Sequence, residues 1–352
     1  MEFKIHNKMV GEGHPLFFIA EAGVNHNGSI DLGKKLIDFA VDSGADAVKF
    51  QSFKTENIII PKAPKSTYHV ETTGKDSEQT WFELLKTQEL TKEMHGRLIE
   101  YCNKKEIIFL STPYDEESVD LLISLDVPAI KIASTDTNNI PFIRYIAAKG
   151  KPMILSTAMA TMDEVEEAVN TIRQEGLEEL ALLQCTGNYP SQITDSNLRV
   201  MKTYAEKLNC IIGYSDHTTD LINPVAATAM GAKIYEKHFT LDKSLPGPDH
   251  RMSLEPEELK QTIRIIRDTE LSLGSPEKRV LEVEKENQKK LRKSIISIKK
   301  INKGDIVTTK NIAIMRPQTG LEPRLYSSLL GKKVKRDINK YVPIQNEDIE
   351  WS

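Results

Sequence analysis

The chain has 352 residues, of which 39% are hydrophobic and 28% charged, a composition typical of a globular protein with enough apolar material for a large core. Its formal net charge of −4, from 47 basic and 51 acidic residues, argues against a nucleic-acid partner, and no run approaches the roughly 20 apolar residues that would cross a membrane. The N-terminus has no signal-peptide core, and three cysteines without a Cys-x-x-Cys spacing predict reduced thiols in a cytoplasmic protein.

Eight apolar runs alternate with helical patterns between residues 15 and 273, and each run has the length of a buried strand. In chain order they are Leu16–Glu21, Ala47–Gln51, Ile107–Thr112, Ala129–Ser134, Met153–Ser156, Leu180–Cys185, Ile211–Ser215 and Ala232–His238. Thr161 opens a capping box before one helix, Pro256 occupies the first turn of the last helix, and Gly274 ends that helix. Eight β–α units over about 250 residues predict a (β/α)8 TIM barrel, with a doubly wound sheet as the alternative.

Two histidines, His217 and His238, stand at the ends of the last two predicted strands, and a helical pattern lies between these strands. A right-handed helical crossover makes such strands parallel neighbours, so both imidazoles would emerge at the same end of the sheet. In a parallel α/β protein, that end carries the active site. Two imidazoles with open positions around them suit an acid–base pair or a catalytic metal such as Mn, Fe, Co or Zn, or Mg bound through water.

Two lysines interrupt apolar strands at matching positions. Lys49 lies within Ala47–Gln51 and Lys131 within Ala129–Ser134, and each has apolar residues on both sides. Strand residues alternate between two faces, so the lysines would point into the barrel mouth while their neighbours face the helices. One such lysine could equally reach solvent at a strand end, but two in matching positions favour a bound anion, because a buried ammonium group is costly without one.

Hydroxyl and carboxyl side chains cluster near the same predicted strand ends. The hydroxyl residues are Thr112, Ser134, Ser156 and Ser215. The acidic residues are Glu21, Asp136, Asp216, Glu236 and Asp249. Amines and hydroxyls that converge in this way suit a phosphate or a phosphorylated carboxylate. The sequence contains neither a P-loop nor a Gly-x-Gly-x-x-Gly motif after a strand, so nucleotide and dinucleotide ligands are not indicated.

The C-terminal part of the chain differs in pattern from the barrel region. The charged stretch Glu277–Lys293 is interpreted as a solvated helix or linker. Beyond it, Ile301–Ile312 recurs as Ile338–Ile349 at an offset of 37 residues, which predicts a compact β domain with internal pseudo-symmetry. Arg316, on a loop of this domain, is either a functional residue or an ordinary surface arginine. The predicted boundaries are 1–275 for the barrel, 276–293 for the linker and 294–352 for the small domain.

Several segments resemble the sialic acid synthase family, whose members condense phosphoenolpyruvate with N-acetylmannosamine-type sugars. They are Ile19–Gly28, Val48–Gln51, Ser111–Pro113, Lys131–Ser134, Gln184–Thr186, Gly213–Thr218, Glu236–Thr240 and Gly247–Asp249. The tail resembles the antifreeze-like (SAF, β-clip) domain that the family carries. The resemblance implies a TIM barrel with a small β-rich domain, and a metal-dependent condensation in which C–O cleavage releases phosphate and yields N-acetylneuraminate or N,N'-diacetyllegionaminate.

The resemblance also implies roles for individual residues. A divalent metal, Mn²⁺ or else Mg²⁺ or Co²⁺, would bind His217 and His238. Phosphoenolpyruvate would contact Lys49, Thr112, Lys131, Ser134, Ser156 and Ser215, and the sugar would contact Gln51, Tyr114, Tyr189, Asp249 and Arg316. The catalytic residues would be Glu21, Lys49, Asp136, His217 and His238, with either Glu21 or Asp136 managing protons. In a homodimer with exchanged C-terminal domains, Arg316 would reach the sugar's N-acyl group in the other subunit's barrel.

Two positions depart from the family pattern. Asp136 stands where many members have glutamate, which shortens the carboxylate by one methylene, and Gly187-Asn188 stands where many members have Asn or Ser one position earlier. Both departures indicate a modified sugar, so the substrate is open between N-acetylmannosamine, its 6-phosphate and a 2,4-diacetamido-trideoxy sugar. Two other functions stay as alternatives: another phosphoenolpyruvate-dependent sugar-acid synthase or aldolase of the TIM-barrel class, and a non-catalytic binding protein.

Overall fold

The computed structural model describes residues 1–75 and 77–351, which form two compact units. The first unit runs from Met1 to Gly274 and the second begins at Ser275. Within these described residues, no helix combines the length and the apolar character that crossing a membrane requires.

The first unit is built on an eight-stranded parallel sheet. A short antiparallel hairpin, β1 (Glu2–Ile5) and β2 (Lys8–Gly11), precedes it. The barrel strands are β3 (Phe17–Gly23), β4 (Ala47–Ser52), β5 (Ile108–Pro113), β6 (Ile130–Ile132), β7 (Met153–Ser156), β8 (Leu180–Cys185), β9 (Ile211–Asp216) and β10 (Ile234–His238). Their spatial order is β5-β4-β3-β10-β9-β8-β7-β6, and β5 and β6 at the two ends also lie against each other. The predicted TIM barrel is therefore confirmed.

The predicted strand boundaries agree with the structure to within two residues. In the fourth predicted strand, Ser134 lies beyond the strand and opens a single 3-10 turn, Ser134–Asp136. The hairpin of β1 and β2 was not predicted, because two four-residue strands leave too few alternating positions for a periodic signal.

Helices surround the barrel and follow its strands. The helices that complete the β–α units are α1 (Ile30–Asp42), α5 (Lys92–Lys104), α6 (Glu116–Ser124), α7 (Ile140–Ala147), α8 (Met162–Gln174), α9 (Val200–Leu208), α10 (Ile222–Ala229) and α11 (Pro256–Leu273). Three short helices lie in the connection between β4 and α5: α2 (Thr55–Ile58), α3 (Thr67–Thr73) and α4 (Trp81–Lys86). The capping box predicted at Thr161 is present, and Pro256 and Gly274 begin and end α11 as predicted.

Apolar side chains fill both faces of the barrel strands. The outward face, which includes Val48 and Phe50 on either side of Lys49, packs against the helices. The inward face is filled by side chains that include Ile19, Leu110, Ile154, Leu183 and Ile234. The hairpin adds Phe3, Ile5 and Val10 to this inner cluster and so closes the end of the barrel at which the strands begin. Polar inward-facing residues are therefore concentrated at the carboxyl ends of the strands.

The second unit is a small β-rich domain. It contains α12 (Lys285–Leu291), β11 (Ser294–Ser297), β12 (Ile312–Met315) and α13 (Tyr326–Leu329), with β11 and β12 antiparallel. The two copies of the predicted repeat meet where they begin, because Ile301 and Ile338 exchange backbone hydrogen bonds of 2.9 and 2.8 Å. Both isoleucines lie in one apolar core, together with the residues that end the two copies, Ile312 and Ile349. The repeat thus forms a pseudo-symmetric pair.

Candidate active site

Two buried lysines lie inside the barrel at the carboxyl ends of its strands. The Lys49 ammonium group, from β4, donates a 2.8 Å hydrogen bond to the Thr112 hydroxyl at the end of β5. The Lys131 ammonium group, from β6, donates to the Ser156 hydroxyl at 2.6 Å and to the Ile132 carbonyl at 2.8 Å. Only 4% and 3% of the two lysine side chains are exposed. Neither ammonium group is therefore exposed to solvent.

Two carboxyl groups balance the charge of these lysines. Glu236 bridges them, with one oxygen 3.8 Å from Lys49 Nζ and the other 3.7 Å from Lys131 Nζ. The Ser215 hydroxyl donates a 3.0 Å hydrogen bond to the same carboxylate. Glu21 forms a closer ion pair with Lys49, at 2.7 Å. Strand alternation places Glu236 on the same inward face as His238, as the sequence predicts, but its bridge between the two lysines was not predicted.

Burial and the charges of neighbouring side chains set the ionisation of the two carboxyl groups and the two lysines. Burial raises the pKa of Glu21 to about 7, even though Lys49 opposes the shift. Burial also disfavours ionised Glu236, but Lys131 and Lys49 outweigh it and hold the pKa of that carboxyl below its ordinary value. Burial lowers the pKa of Lys131. Glu236 is therefore ionised at neutral pH, whereas burial favours the protonated form of Glu21, so Glu21 can take up a proton when an anion binds.

The two predicted imidazoles lie side by side, with ring centroids 5.6 Å apart. The Nδ1 atom of His217 lies 2.7 Å from the Thr186 carbonyl oxygen. In the neutral ring this contact assigns the proton to Nδ1 and leaves Nε2 with a free lone pair. The Nδ1 atom of His238 is buried without a hydrogen-bond partner in the part of the chain that the structure describes, and Asp249 Oδ2 lies 3.9 Å away.

Cys185 adds an unpredicted group beside the first imidazole. Its sulfur, at the end of β8, lies 3.7 Å from His217 Nδ1. Burial opposes both charges, yet the two groups stabilise each other, so the pKa of His217 is raised and the pKa of Cys185 is lowered. Burial and the neighbouring His217 hold the pKa of His238 well below its ordinary value. The second imidazole is therefore neutral and keeps a lone pair for a ligand.

Aromatic residues stand beside the imidazoles. The Tyr189 ring centroid lies 4.2 Å from that of His217 and 6.3 Å from that of His238. The Tyr68 ring, from α3, lies 6.3 Å from the Tyr189 ring, so the long connection after β4 reaches the barrel mouth. Sequence reasoning missed Tyr68, and no local pattern signals it. Burial raises the pKa of Tyr114 well above its ordinary value, and nearby carboxylates reinforce the shift.

Gly23 lets three predicted polar side chains approach the end of β3. Its φ of 53° is in the left-handed region. A Cβ atom at this position would lie 3.3 Å from the Asp249 carboxylate, 3.4 Å from the Gln51 amide nitrogen and 3.4 Å from the Glu21 carboxylate. The Gln51 amide also donates a weak 3.4 Å hydrogen bond to Glu21. These groups form a polar wall next to Lys49.

Three predicted residues form hydrogen bonds with partners other than the lysines and histidines of the site. The Ser134 hydroxyl accepts a 2.9 Å hydrogen bond from a backbone N–H of the loop after β7. The Asp136 carboxylate accepts a 3.0 Å hydrogen bond from the Asn139 amide, and burial raises its pKa. In the described part of the chain, neither residue is hydrogen-bonded to the lysines or the histidines of the site. Arg316 belongs to the second unit, where it is exposed and its Nε donates to a backbone carbonyl at 2.7 Å.

The imidazole pair fits a divalent metal in its donor chemistry. Imidazole nitrogens are common ligands of Mn, Co and Zn, and one of the two rings has a buried nitrogen without a partner within residues 1–75 and 77–351. Among the described residues, no group of three or more His, Cys, Asp or Glu side chains is arranged as a metal site. A metal held by the two imidazoles would keep its other coordination positions open for water or substrate.

The fold and the site together define a TIM-barrel enzyme with a small β-rich C-terminal domain. The chain belongs to the NeuB family, whose model matches residues 36–278, and the SAF domain model matches residues 292–350. These matches confirm the resemblance to sialic acid synthases and the identity of the C-terminal domain.

The chain is similar over most of its length to several sugar-acid synthases. It is 44% identical to N,N'-diacetyllegionaminic acid synthase of Campylobacter jejuni, over 89% of this chain and 94% of that protein. It is 41% identical to the N,N'-diacetyllegionaminic acid synthase of Legionella pneumophila, over 97% and 96% of the two chains. The crystal structure of N-acetylneuraminic acid synthetase from Leptospira borgpetersenii, in complex with citrate, superposes with a TM-score of 0.71 at 34% identity, covering 82% of this chain and 95% of that one.

Proposed function

We propose that this protein is a nonulosonic acid synthase that condenses phosphoenolpyruvate with an open-chain N-acetylmannosamine-type sugar. The observation that carries the proposal is the pair of buried ammonium groups, Lys49 and Lys131, which share one carboxylate beside two imidazoles. Two positive charges inside a barrel suit a substrate with both a phosphate and a carboxylate. The names of the relatives at 41% and 44% identity support the same chemistry.

Lys49 and Lys131 would hold the two anionic groups of phosphoenolpyruvate. The hydroxyls of Thr112 and Ser156 already accept hydrogen bonds from these ammonium groups and would turn to donate to the bound anion. The Ser215 hydroxyl, now bonded to Glu236, is a third donor on the same side. Fixing both anionic groups orients the enol carbon toward the sugar, which lowers the entropic cost of the reaction.

His217 and His238 would hold the divalent metal, which we propose to be Mn²⁺. When bound, this metal supplies a positive charge that polarises the aldehyde of the sugar. The Thr186 carbonyl keeps the first imidazole in one tautomer, and the buried Nδ1 of the second has no competing hydrogen bond within the described residues. Loss of either imidazole should therefore abolish metal-dependent turnover.

The proposed reaction forms one C–C bond and breaks one C–O bond. The enol π electrons of phosphoenolpyruvate form the bond from its C3 to the aldehyde carbon, and the aldehyde oxygen takes up a proton. Water adds to the cationic C2 and loses one proton. The C2–O bond to the phosphate then breaks, phosphate leaves with the bonding electrons, and the added C2 hydroxyl becomes the ketone carbonyl as its proton is released. Glu21 contacts Lys49 and Gln51 and has a pKa of about 7, so we assign it the proton transfers. Asp136, the other candidate, is hydrogen-bonded to Asn139.

The sugar would bind against Gln51, Asp249, Tyr114 and Tyr189. We propose a 2,4-diacetamido-trideoxy sugar as substrate, because the relatives at 41% and 44% identity are named N,N'-diacetyllegionaminic acid synthases. Each candidate sugar should be incubated with phosphoenolpyruvate and Mn²⁺, and the product mass measured together with phosphate release. Turnover of N-acetylmannosamine alone, or of its 6-phosphate alone, would overturn the sugar assignment. Absence of metal-dependent phosphate release with every sugar would instead favour an aldolase or a non-catalytic binder.

We further propose a homodimer in which Arg316 of one subunit contacts the sugar's N-acyl group in the other. The composition supports attraction between copies, since residues 275–352 contain 18 Lys and Arg but only 10 Asp and Glu, whereas the whole chain is acidic. Co-expression of the variants His238→Ala and Arg316→Ala tests the exchange. If Arg316 acts across the dimer, each mixed dimer has one intact site. Random pairing makes about half of the dimers mixed, so the preparation recovers about one quarter of the wild-type activity. If it acts within one chain, no mixed dimer is active.

The three cysteines are unpaired and buried, which fits the proposed cytoplasmic location.

A further inference from the structure

A second buried ion pair lies directly behind the imidazole pair. Asp216 and Lys237 face each other in the ladder between β9 and β10, one position before His217 and His238. The Lys237 ammonium nitrogen lies 3.0 Å from Asp216 Oδ2, and the two side chains are 2% and 0% exposed. Because strand residues alternate between faces, this pair points away from the imidazoles and toward the outer apolar layer that contains Tyr235.

The Asp216 carboxylate is saturated with hydrogen-bond donors. One oxygen accepts from the Tyr235 hydroxyl at 2.6 Å and from Lys237. The other accepts from the Thr218 backbone N–H at 2.9 Å, from the Thr218 hydroxyl at 2.8 Å and, more weakly, from the Asn223 amide at 3.5 Å. A carboxylate that bonds the N–H two residues onward fixes a turn. Here the turn runs from Asp216 to Thr218 and contains His217 at its centre.

The ion pair holds the backbone on both sides of His217. Asp216 precedes the histidine and bonds Thr218, which follows it, while Lys237 donates to the Thr218 carbonyl. His238 has no hydrogen bond on Nδ1 in the described structure, so its position depends on the strand that carries it. Lys237 directly precedes His238 on β10. Its hydrogen bond to the Thr218 carbonyl links that strand to the turn that contains His217.

We propose that Asp216 and Lys237 are positioning residues, which set the separation and orientation of the His217 and His238 imidazoles. The inward faces at these strand ends are polar, so apolar packing on that face does not hold the imidazoles in place. A buried ion pair stabilises a fold no better than an apolar pair of similar volume, so its occurrence here is explained by the geometry that it imposes. The inference rests on the proposed function, in which the two imidazoles hold a metal.

The test compares metal affinity with stability in the full-length protein. Mn²⁺ is titrated calorimetrically into the wild type, Asp216→Asn, Lys237→Met and the double variant, and Tm is measured for each. Each single variant should weaken Mn²⁺ binding about 10- to 100-fold, as loss of supporting contacts does in other metal sites. The double variant contains no unpaired buried charge, so it should regain Tm relative to the single variants but not the Mn²⁺ affinity. A recovered Tm without recovered Mn²⁺ affinity distinguishes a positioning role from a purely structural one.

Arg267→Met is the matched control. It removes the ion pairs of Arg267 with Asp46, at 2.8 Å, and with Glu270, at 3.1 Å, near the beginning of the barrel strands. It should lower Tm and leave Mn²⁺ affinity unchanged. Thr218→Val, which removes one hydroxyl donor, provides a milder variant if the charge variants fail to fold, and it should weaken Mn²⁺ binding in the same direction.

Two results would overturn the inference. One is Mn²⁺ affinity in the folded variants within about twofold of the wild type despite a lower Tm. The other concerns the metal-free protein labelled with ¹⁵N-histidine, in which the ring signals of His217 report its tautomer. These signals should shift in Asp216→Asn, and unchanged signals would exclude positioning. If the wild type itself fails to bind Mn²⁺, the metal proposal falls, and the ring signals decide the positioning proposal by themselves.

Discussion

Glu21 should make the binding of phosphoenolpyruvate pH-dependent above neutrality. Burial raises the pKa of this carboxyl to about 7, and its oxygen lies 2.7 Å from Lys49 Nζ, which we propose holds the substrate anion. An anion on the far side of the same ammonium group would lie about 5 Å from an ionised Glu21. At an effective dielectric constant of about 20, the repulsion between them is about 3 kcal/mol. Binding should therefore be accompanied by proton uptake at Glu21.

The size and sign of this pH dependence follow from the linkage between proton binding at Glu21 and phosphoenolpyruvate binding. Because the bound anion raises the pKa of Glu21 further, affinity is greatest below pH 7 and declines as the pH rises through this value. Between pH 7 and 8.5 the decline should be about 15-fold. The substrate phosphate, with an ordinary pKa of about 6, is already ionised across this range and does not add to the change.

The assay is a calorimetric titration of phosphoenolpyruvate at several pH values for the wild type, Glu21→Gln and Asp136→Asn. Glu21→Gln should bind with nearly constant affinity from pH 7 to 8.5. Asp136→Asn should keep the wild-type dependence, since Asp136 is bonded to Asn139 rather than to a lysine. A wild-type affinity that stays constant, or a decline that persists in Glu21→Gln, would show that the Glu21 reasoning is wrong.

Three further predictions concern single residues. His238→Ala should lower metal-dependent kcat at least about 100-fold, measured as phosphate release with saturating Mn²⁺, and near-normal kcat would refute the metal assignment. Lys131→Met should raise the KM for phosphoenolpyruvate about 30-fold, the equivalent of about 2 kcal/mol for one charged hydrogen bond, while a surface control, Lys149→Met, should not. Burial lowers the pKa of His26 from 6.5 to about 4, so its contribution to stability is complete above pH 6.5 and is lost as the pH falls toward 4. Between pH 7 and 5, the loss of unfolding free energy measured with denaturant should be about 2 kcal/mol smaller in His26→Gln than in the wild type, and an unchanged pH slope in that variant would contradict the assignment.

Much of the site could be predicted from local pattern. Lys49 and Lys131 interrupt apolar strands, and the period of two assigns them to the inward face regardless of how the strands assemble. His217 and His238 end successive strands joined by a helix, and a right-handed crossover makes such strands neighbours. Both inferences depend only on geometry within one strand or one β–α–β unit, so the sequence alone is enough to make them.

Other features of the site depend on how segments that are distant in sequence come together in the barrel. Glu236 is predicted to face inward, but its bridge between two lysines arises because β10 lies across the barrel from β6 and is separated from β4 only by β3. Cys185 meets His217 only because β8 and β9 are paired in a particular register. Tyr68 reaches the mouth through a long connection whose path no periodicity specifies.

The amino-acid sequence by itself determined the barrel, the small repeated domain, the family and the inward-facing lysines and histidines, because strand alternation and helix signals act over a few residues. Only the tertiary structure decided which groups share charge: the ion pair of Glu21 with Lys49, and the Asp216–Lys237 pair behind the imidazoles. Those contacts join residues that are distant in sequence, and electrostatic energies at 3 Å depend on positions that the closed barrel alone defines.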